Sequence, residues 1–271
     1  MNEMTEQRLR TWGKRMTIDL VIICVGLYLL CCAFGLFMIN ALMFHPPAPS
    51  YSWDTPNVVN IGDEAAPVAA MWFPGTGTDK VVLYSHGNAE DISDSTGIGM
   101  DFTQAGFSVL CYDYPGYGLS AGKPTEQNVY AAAEAAYRFL TGRCGIAPSD
   151  IIVLGRSIGS GPACYLAEKF PVRGLVTEAA FTSAPRVMTR ARVLPFDPFP
   201  NIRRIPNVSC PKLFIHGTDD GTIPFSHSKA LFAAAKAPKT FLEVDNAGHD
   251  DLTLVLGEKD YFKALRTFTE P

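Results

Sequence analysis

The sequence predicts an α/β protein: an open, mostly parallel sheet covered by helices, preceded by one transmembrane helix. Three observations carry this. Short apolar runs alternate with helix-like segments from residue 57 onward, each chemically suggestive motif falls just after an apolar run, and one stretch near the N-terminus is apolar without interruption. Sheets of this kind bind ligands outside the carboxyl ends of their strands. The chain has 271 residues, of which 47% are hydrophobic and 18% charged, so a disordered chain is excluded. Its glycines and prolines follow no repeating period, which excludes a collagen-like chain. With a net charge of −4 it lacks the positive field that a nucleic-acid backbone requires, and no nucleic-acid partner is expected.

The elements follow in order. Leu20 to Ile39 are twenty consecutive residues without a charge. At about 1.5 Å per residue they reach across the roughly 30 Å hydrocarbon layer of a bilayer. A cleaved signal peptide has an apolar core of about 7–15 residues and an A-x-A-like site, and neither is present. A lipoprotein would carry a small residue before its cysteine, whereas Ile23 and Leu30 precede Cys24 and Cys31. Arg8, Arg10, Lys14 and Arg15 lie before the span, and no Lys or Arg follows until Lys80. The positive-inside rule then places the N-terminus in the cytoplasm and the body outside it, on the periplasmic side or its equivalent. The expected division is residues 1–19 cytoplasmic, 20–44 anchor, 45–56 linker and 57–271 folded domain. Pro46, Pro47, Pro49 and Pro56 make the linker a stiff extended spacer.

Alternating stretches at 57–62 and 68–73 predict an opening antiparallel pair. Apolar runs at 81–84, 107–112, 151–154, 174–177, 212–215 and 240–244 read as buried parallel strands. Helical segments are predicted at 97–105, 126–140, 159–169, 227–235 and 252–268. The stretch 182–211, rich in Pro and Arg, is long enough to cover part of a site but too short for a separate lid domain.

Gly155-Arg156-Ser157-Ile158-Gly159 follows the run 151–154 and opens a helix, the context of a nucleophile elbow. A side chain thrust out of a sharp strand-to-helix turn needs a strained backbone, and flanking β-carbons would collide with the neighbouring strand and helix. Ser157 is therefore the candidate nucleophile, and Gly161 is expected to let the helix pack close to the sheet. A serine hydroxyl needs a histidine to take its proton and an acid to orient that histidine. Of five histidines, His45 lies in the linker, His86 precedes Gly87, His216 ends an apolar strand as a packed or turn-bonding residue, and His227 starts a surface helix. His249, in the loop Asn246-Ala247-Gly248-His249 after the run 240–244, is the candidate base. Asp219 and Asp220 leave another strand end, and two adjacent carboxylates cannot both face one imidazole. Asp250 and Asp251 are expected to cap the last helix. Two N–H donors must meet the developing oxyanion. Ile158 supplies one, and Asn88, in the turn Ser85-His86-Gly87-Asn88-Ala89, the other.

Of the seven cysteines, Cys24, Cys31 and Cys32 fall in the apolar stretch. Cys111, Cys144, Cys164 and Cys210 are scattered, with Cys111 and Cys164 at core positions. No C-x-x-C spacing occurs, and no metal or organic cofactor is implied.

SHGNAED (85–91), YDYPGYGLSAGKPTE (112–126), GRSIGSG (155–161), FDPFPNI (196–202), IHGTDDGTIPFSHS (215–228) and AGHDD (247–251) occur in this order. Together they resemble the α/β-hydrolase-domain proteins, which include membrane-associated protein depalmitoylases and bacterial relatives. The resemblance covers about residues 57–270. It implies the α/β-hydrolase fold and a triad of Ser157, Asp220 and His249, the acid being placed third after Gly217. The chain order Ser, Asp, His is the one expected of that fold. Residues 113–120 look like a structural wall beside the oxyanion turn. The sequence departs from the depalmitoylases in its N-terminus, since a spanning helix stands where they resemble proteins held by acylated cysteines. The implied activity is hydrolysis of carboxylic esters or thioesters on a small-molecule or acylated substrate. The tether and the apolar 196–202 stretch favour lipid-like acyl groups. Rivals are a peptidase or acyltransferase on the same scaffold, and an idle binding protein, which would break a triad position; none is broken.

Overall fold

The computed structural model describes residues 3–77, 79–190 and 193–269. The chain falls into two compact units, one holding the first 43 residues with Leu194–Phe196, the other beginning at Phe44. In the first unit, helix α1 (Glu3–Met43) is one uninterrupted helix that starts well before the span read from the sequence. Its segment Arg10–Met43 reaches a mean hydropathy of 2.7 and is long and apolar enough to cross a membrane. Ile22, Leu27, Leu30 and Phe37 are exposed on it.

The second unit is built on one eight-stranded sheet. Its first strands, β1 (Val58–Asn60) and β2 (Ala69–Phe73), pair antiparallel as expected. After β3 (Val81–Ser85) come helix α2 (Thr96–Gln104) and β4 (Ser108–Tyr112), then α3 (Glu126–Arg138), β5 (Ile151–Arg156), α4 (Ser160–Lys169) and β6 (Gly174–Glu178). Two short helices, α5 (Ala184–Thr189) and α6 (Asn201–Arg204), precede β7 (Lys212–Gly217), α7 (Ser226–Ala234) and β8 (Lys239–Val244). Helices α8 (Leu252–Leu256) and α9 (Glu258–Thr269) end the order.

The spatial order is β1-β2-β4-β3-β5-β6-β7-β8, with β2 antiparallel to β4 and every later pair parallel. Central strands are covered on both faces, which is why they read as continuous apolar runs: Val81 through Ser85 are all buried. Leu83, Val153, Leu154, Val176, Phe214 and Ile215 are completely or almost completely shielded. Each such burial is worth about 1.5–3 kcal/mol. The order reverses at β3, whose neighbours β4 and β5 lie on opposite sides. The loops leaving β3 and β5 therefore open a crevice at the strand ends, the usual ligand position in such sheets.

Three expectations are corrected here. The stretch 252–268 is two helices, because Gly257 at φ +83° breaks the ladder between α8 and α9. Residues 45–56 are no spacer but lie on the body. Asp91 and Asp113 are fully buried carboxylates, and the Ser50 N–H donates to Asp91 at 2.8 Å while the Tyr51 hydroxyl donates to Asp113. Buried carboxylates need such partners, and the chain after α1 supplies them. Residues 197–202 of the expected covering stretch are part of the body itself: Phe199 is buried, and a β-carbon at Gly161 would come within 2.4 Å of its ring. Gly161 thus makes room for Phe199 rather than for the sheet.

Candidate active site

Ser157 follows β5 at φ +53°, a left-handed conformation that costs a non-glycine residue about 1–2 kcal/mol. Its neighbours permit it. A β-carbon at Gly155 would meet the Gly159 carbonyl oxygen at 2.2 Å, and one at Gly159 would lie 2.0 Å from the Ser85 carbonyl oxygen. The two glycines let the turn fold onto itself and onto the end of β3. That second contact also sets the loop bearing Ile158 against Ser85 and His86, the start of the turn that carries Asn88.

The structure brings Ser157, His249 and Asp220 together from the ends of β5, β8 and β7. Ser157 Oγ and His249 Nε2 are 3.1 Å apart, and His249 Nδ1 lies 2.8 Å from Asp220 Oδ2. A carboxylate only accepts, so His249 donates from Nδ1 and keeps Nε2 to receive the serine proton. Asp220 Oδ1 accepts the N–H groups of Thr222 at 2.8 Å and Ile223 at 2.7 Å. Burial pushes the Asp220 carboxyl up, but hydrogen bonds from His216, His249 and the Ile223 N–H outweigh it and hold the group well below the usual carboxylate range. Asp219 is left in the turn, its N–H donating to the Ala247 carbonyl at 3.0 Å.

Two supporting residues were not identified from the sequence. His216, expected as a packed or turn-bonding residue, is both: it is fully buried, with Nε2 3.2 Å from Asp220 Oδ2 and 2.9 Å from the Ile223 carbonyl oxygen. Its Nδ1 faces Ser228 Oγ at 2.6 Å, so the ring is fixed at both nitrogens and meets the same Asp220 oxygen that His249 does. The signal was a histidine four residues before the acid at the same strand end. Arg156, inside the elbow motif, donates to Asp250 at 2.5 Å and to Glu90 at 3.3 Å. It ties the histidine loop and the turn after β3 to the elbow.

The same contacts correct three assignments. Asp250 pairs with Arg156 instead of capping a helix. Asp251 occupies the N-cap position of α8, but its carboxylate accepts the Gly248 N–H at 2.6 Å instead of a helical one. His227 is buried, not on a surface helix, and its Nδ1 accepts the Thr182 N–H at 3.1 Å. Burial and the charges of His216 and Arg186 lower its affinity for a proton.

The turn after β3, which carries the candidate donor Asn88, is held peptide by peptide. The Tyr114 hydroxyl donates to the His86 carbonyl at 2.6 Å, the Gly87 N–H donates to Glu90, and His86 Nδ1 contacts the Gly87 carbonyl at 2.8 Å. His86 stacks on Tyr114, and its Nε2 faces Asp113 at 3.3 Å. Burial alone would lower the proton affinity of His86, but Asp113 and Glu90 raise it overall. Residues 113–120 thus form the wall behind this turn.

Against known proteins, residues 76–202 match the family described as serine aminopeptidase, S33. The chain is 40% identical to human α/β hydrolase domain-containing protein 17B over 191 residues, covering 69% of this chain and 65% of the human protein. It is 34% identical to the Caenorhabditis elegans α/β hydrolase domain-containing protein aho-3 over 89% of this chain and 81% of that protein. Among solved structures, an esterase from Pyrococcus furiosus superposes with a TM-score of 0.66 at 18% identity, covering 83% of this chain and 96% of the other. The esterase domain of a Rhodothermus marinus protein superposes with a TM-score of 0.59 at 20% identity, over 78% and 95%. With the fold shared by the solved structures and the sequence shared along most of the nematode protein, the chain belongs to the α/β-hydrolase-domain family of serine hydrolases.

Proposed function

We propose that this protein hydrolyses carboxylic esters or thioesters through an acyl-enzyme on Ser157. The observation that carries the reading is the unbroken contact from Ser157 Oγ through the His249 imidazole to Asp220. Ser157 Oγ attacks the acyl carbon while its proton passes to His249 Nε2. The backbone N–H groups of Ile158 and Asn88 receive the oxyanion charge. The tetrahedral intermediate collapses as His249 gives the proton to the departing alcohol or thiol. Water then attacks the acyl carbon with His249 as base, and the acid leaves as Ser157 recovers its proton. Asp220, held ionised by its hydrogen bonds, stabilises the imidazolium in both halves.

Helix α1 supports a single-pass anchor with a cytoplasmic N-terminus, and the charge asymmetry supports an extracytoplasmic domain. An acylated or lipid-like substrate at the bilayer surface follows from that tether and from the resemblance to depalmitoylases. The description of the matching family as an aminopeptidase favours a second reading, amide cleavage by the same three residues.

Hydrolysis of a short p-nitrophenyl ester, an acyl thioester and an aminoacyl anilide by the purified full-length chain separates these readings. Ester and thioester turnover by the wild type should fall by about 10⁴–10⁶ in Ser157→Ala and His249→Ala, because triad residues act as a unit. Turnover of the anilide alone would move the assignment to a peptidase. Unchanged ester turnover in Ser157→Ala would remove it.

A further inference from the structure

The segment that leaves α1 is built into the oxyanion turn. Asn88 Oδ1 accepts three donors: the His45 N–H at 3.0 Å, the Tyr117 hydroxyl at 2.6 Å and the Ala89 N–H at 3.1 Å. Asn88 Nδ2 donates in turn to His45 Nδ1 at 2.9 Å. The His45 N–H also reaches the Tyr117 oxygen at 3.0 Å. The side-chain amide of Asn88 is thus caught between residue 45 and the wall at 117. Five residues on, Ser50 donates its N–H and hydroxyl to Asp91, both at 2.8 Å, and Tyr51 donates to Asp113. Asp113 in turn accepts the Ile92 N–H at 3.0 Å and faces His86, whose Nδ1 meets the Gly87 carbonyl.

The consequence follows from peptide geometry. The Gly87 carbonyl and the Asn88 N–H belong to one planar trans peptide and point in opposite directions. Whatever fixes the Gly87 carbonyl therefore aims the Asn88 N–H. The turn is also strained: Ala89 sits at φ +58°, a conformation that relaxes unless its surroundings impose it. Residues 45–51 grip both sides of this strained peptide, at Asn88 directly and at His86 through Asp113.

We propose that His45 and Tyr51 are positioning residues for the oxyanion donor Asn88, so that the juxta-helical segment is a working part of the active site. The proposal rests on the serine-hydrolase reading above. It implies that loosening residues 45–51 weakens transition-state stabilisation and leaves substrate binding in place, because the oxyanion forms only after attack.

The test uses the full-length chain in detergent, comparing wild type, Ser157→Ala, His45→Ala, His45→Asn and Tyr51→Phe on a p-nitrophenyl ester. The inhibition constant of a trifluoromethyl ketone, whose adduct carries the oxyanion, and the thermal midpoint are measured alongside. Removing a whole oxyanion donor costs about 10²–10³ in kcat, so misaiming one should cost roughly 10–100. His45→Ala and Tyr51→Phe should lower kcat by that factor with KM within about twofold, and the ketone affinity should fall in parallel. His45→Asn, which restores a side-chain acceptor for Asn88, should recover most of the loss. Unchanged kcat and ketone affinity, with or without a lower thermal midpoint, would overturn the proposal while an active wild type preserved the serine-hydrolase reading. A wild type no faster than Ser157→Ala would overturn both, since no oxyanion would then be left to stabilise.

Discussion

At Ser157 the backbone is strained by design, and the cost is tolerated because Gly155 and Gly159 leave no β-carbon in the way. Alanine at Gly159 must move the Ser85 carbonyl, so Gly159→Ala should destabilise the domain by about 1–3 kcal/mol or more and abolish ester turnover. Chemical denaturation with an activity assay checks both; a fully stable, active variant would show that the elbow does not depend on this contact. Asp220 makes a second prediction. Its carboxyl is held below its unfolded value of about 3.9, so it contributes stability above that pH and loses it as pH falls toward the folded value. The stability gap between wild type and Asp220→Asn should therefore be full at pH 6 and shrink below about pH 4. A gap independent of pH would mean that the carboxylate gains nothing from its partners. The choice between Asp219 and Asp220 was not readable from residue type alone. It is set by the turn at 220–223, which wraps two N–H groups around one carboxylate.

Among the elements, strands and helices were legible because burial on both faces of a parallel sheet leaves short apolar runs, far shorter than the uninterrupted stretch in α1. The nucleophile was legible for the same reason: the motif sits where β5 must end. What stayed hidden depends on pairs far apart in the chain. Arg156 reaches Asp250 and Glu90, and Ser50 and Tyr51 meet Asp91 and Asp113, contacts that no local period records. The prolines of the linker suggested an extended strip, and the two buried carboxylates that draw it onto the body carry no sequence mark. The α8–α9 break was missed because Gly257 interrupts an otherwise continuous helical pattern. Gly257→Ala meets open space but keeps φ +83°, so it should lower the unfolding free energy from chemical denaturation by about 1–3 kcal/mol with ester turnover retained. A stabilised variant would mean that the two helices fuse without penalty.

For the whole molecule, the proposed reading makes α1 a membrane anchor, and the side on which the catalytic unit lies decides which substrates it meets. If the N-terminus is cytoplasmic, protease added to intact cells or spheroplasts should degrade the domain and leave a small N-terminal fragment; full protection would reverse the orientation. The account as a whole stands on an alcohol activated by an imidazole 92 positions later in the chain. The most direct measurement is peptide mass spectrometry after exposure of the full-length protein to a fluorophosphonate. A single adduct on Ser157, lost in Ser157→Ala and strongly slowed in His249→Ala, is the predicted result. Labelling at wild-type rate in Ser157→Ala, or an adduct on another residue, would contradict it.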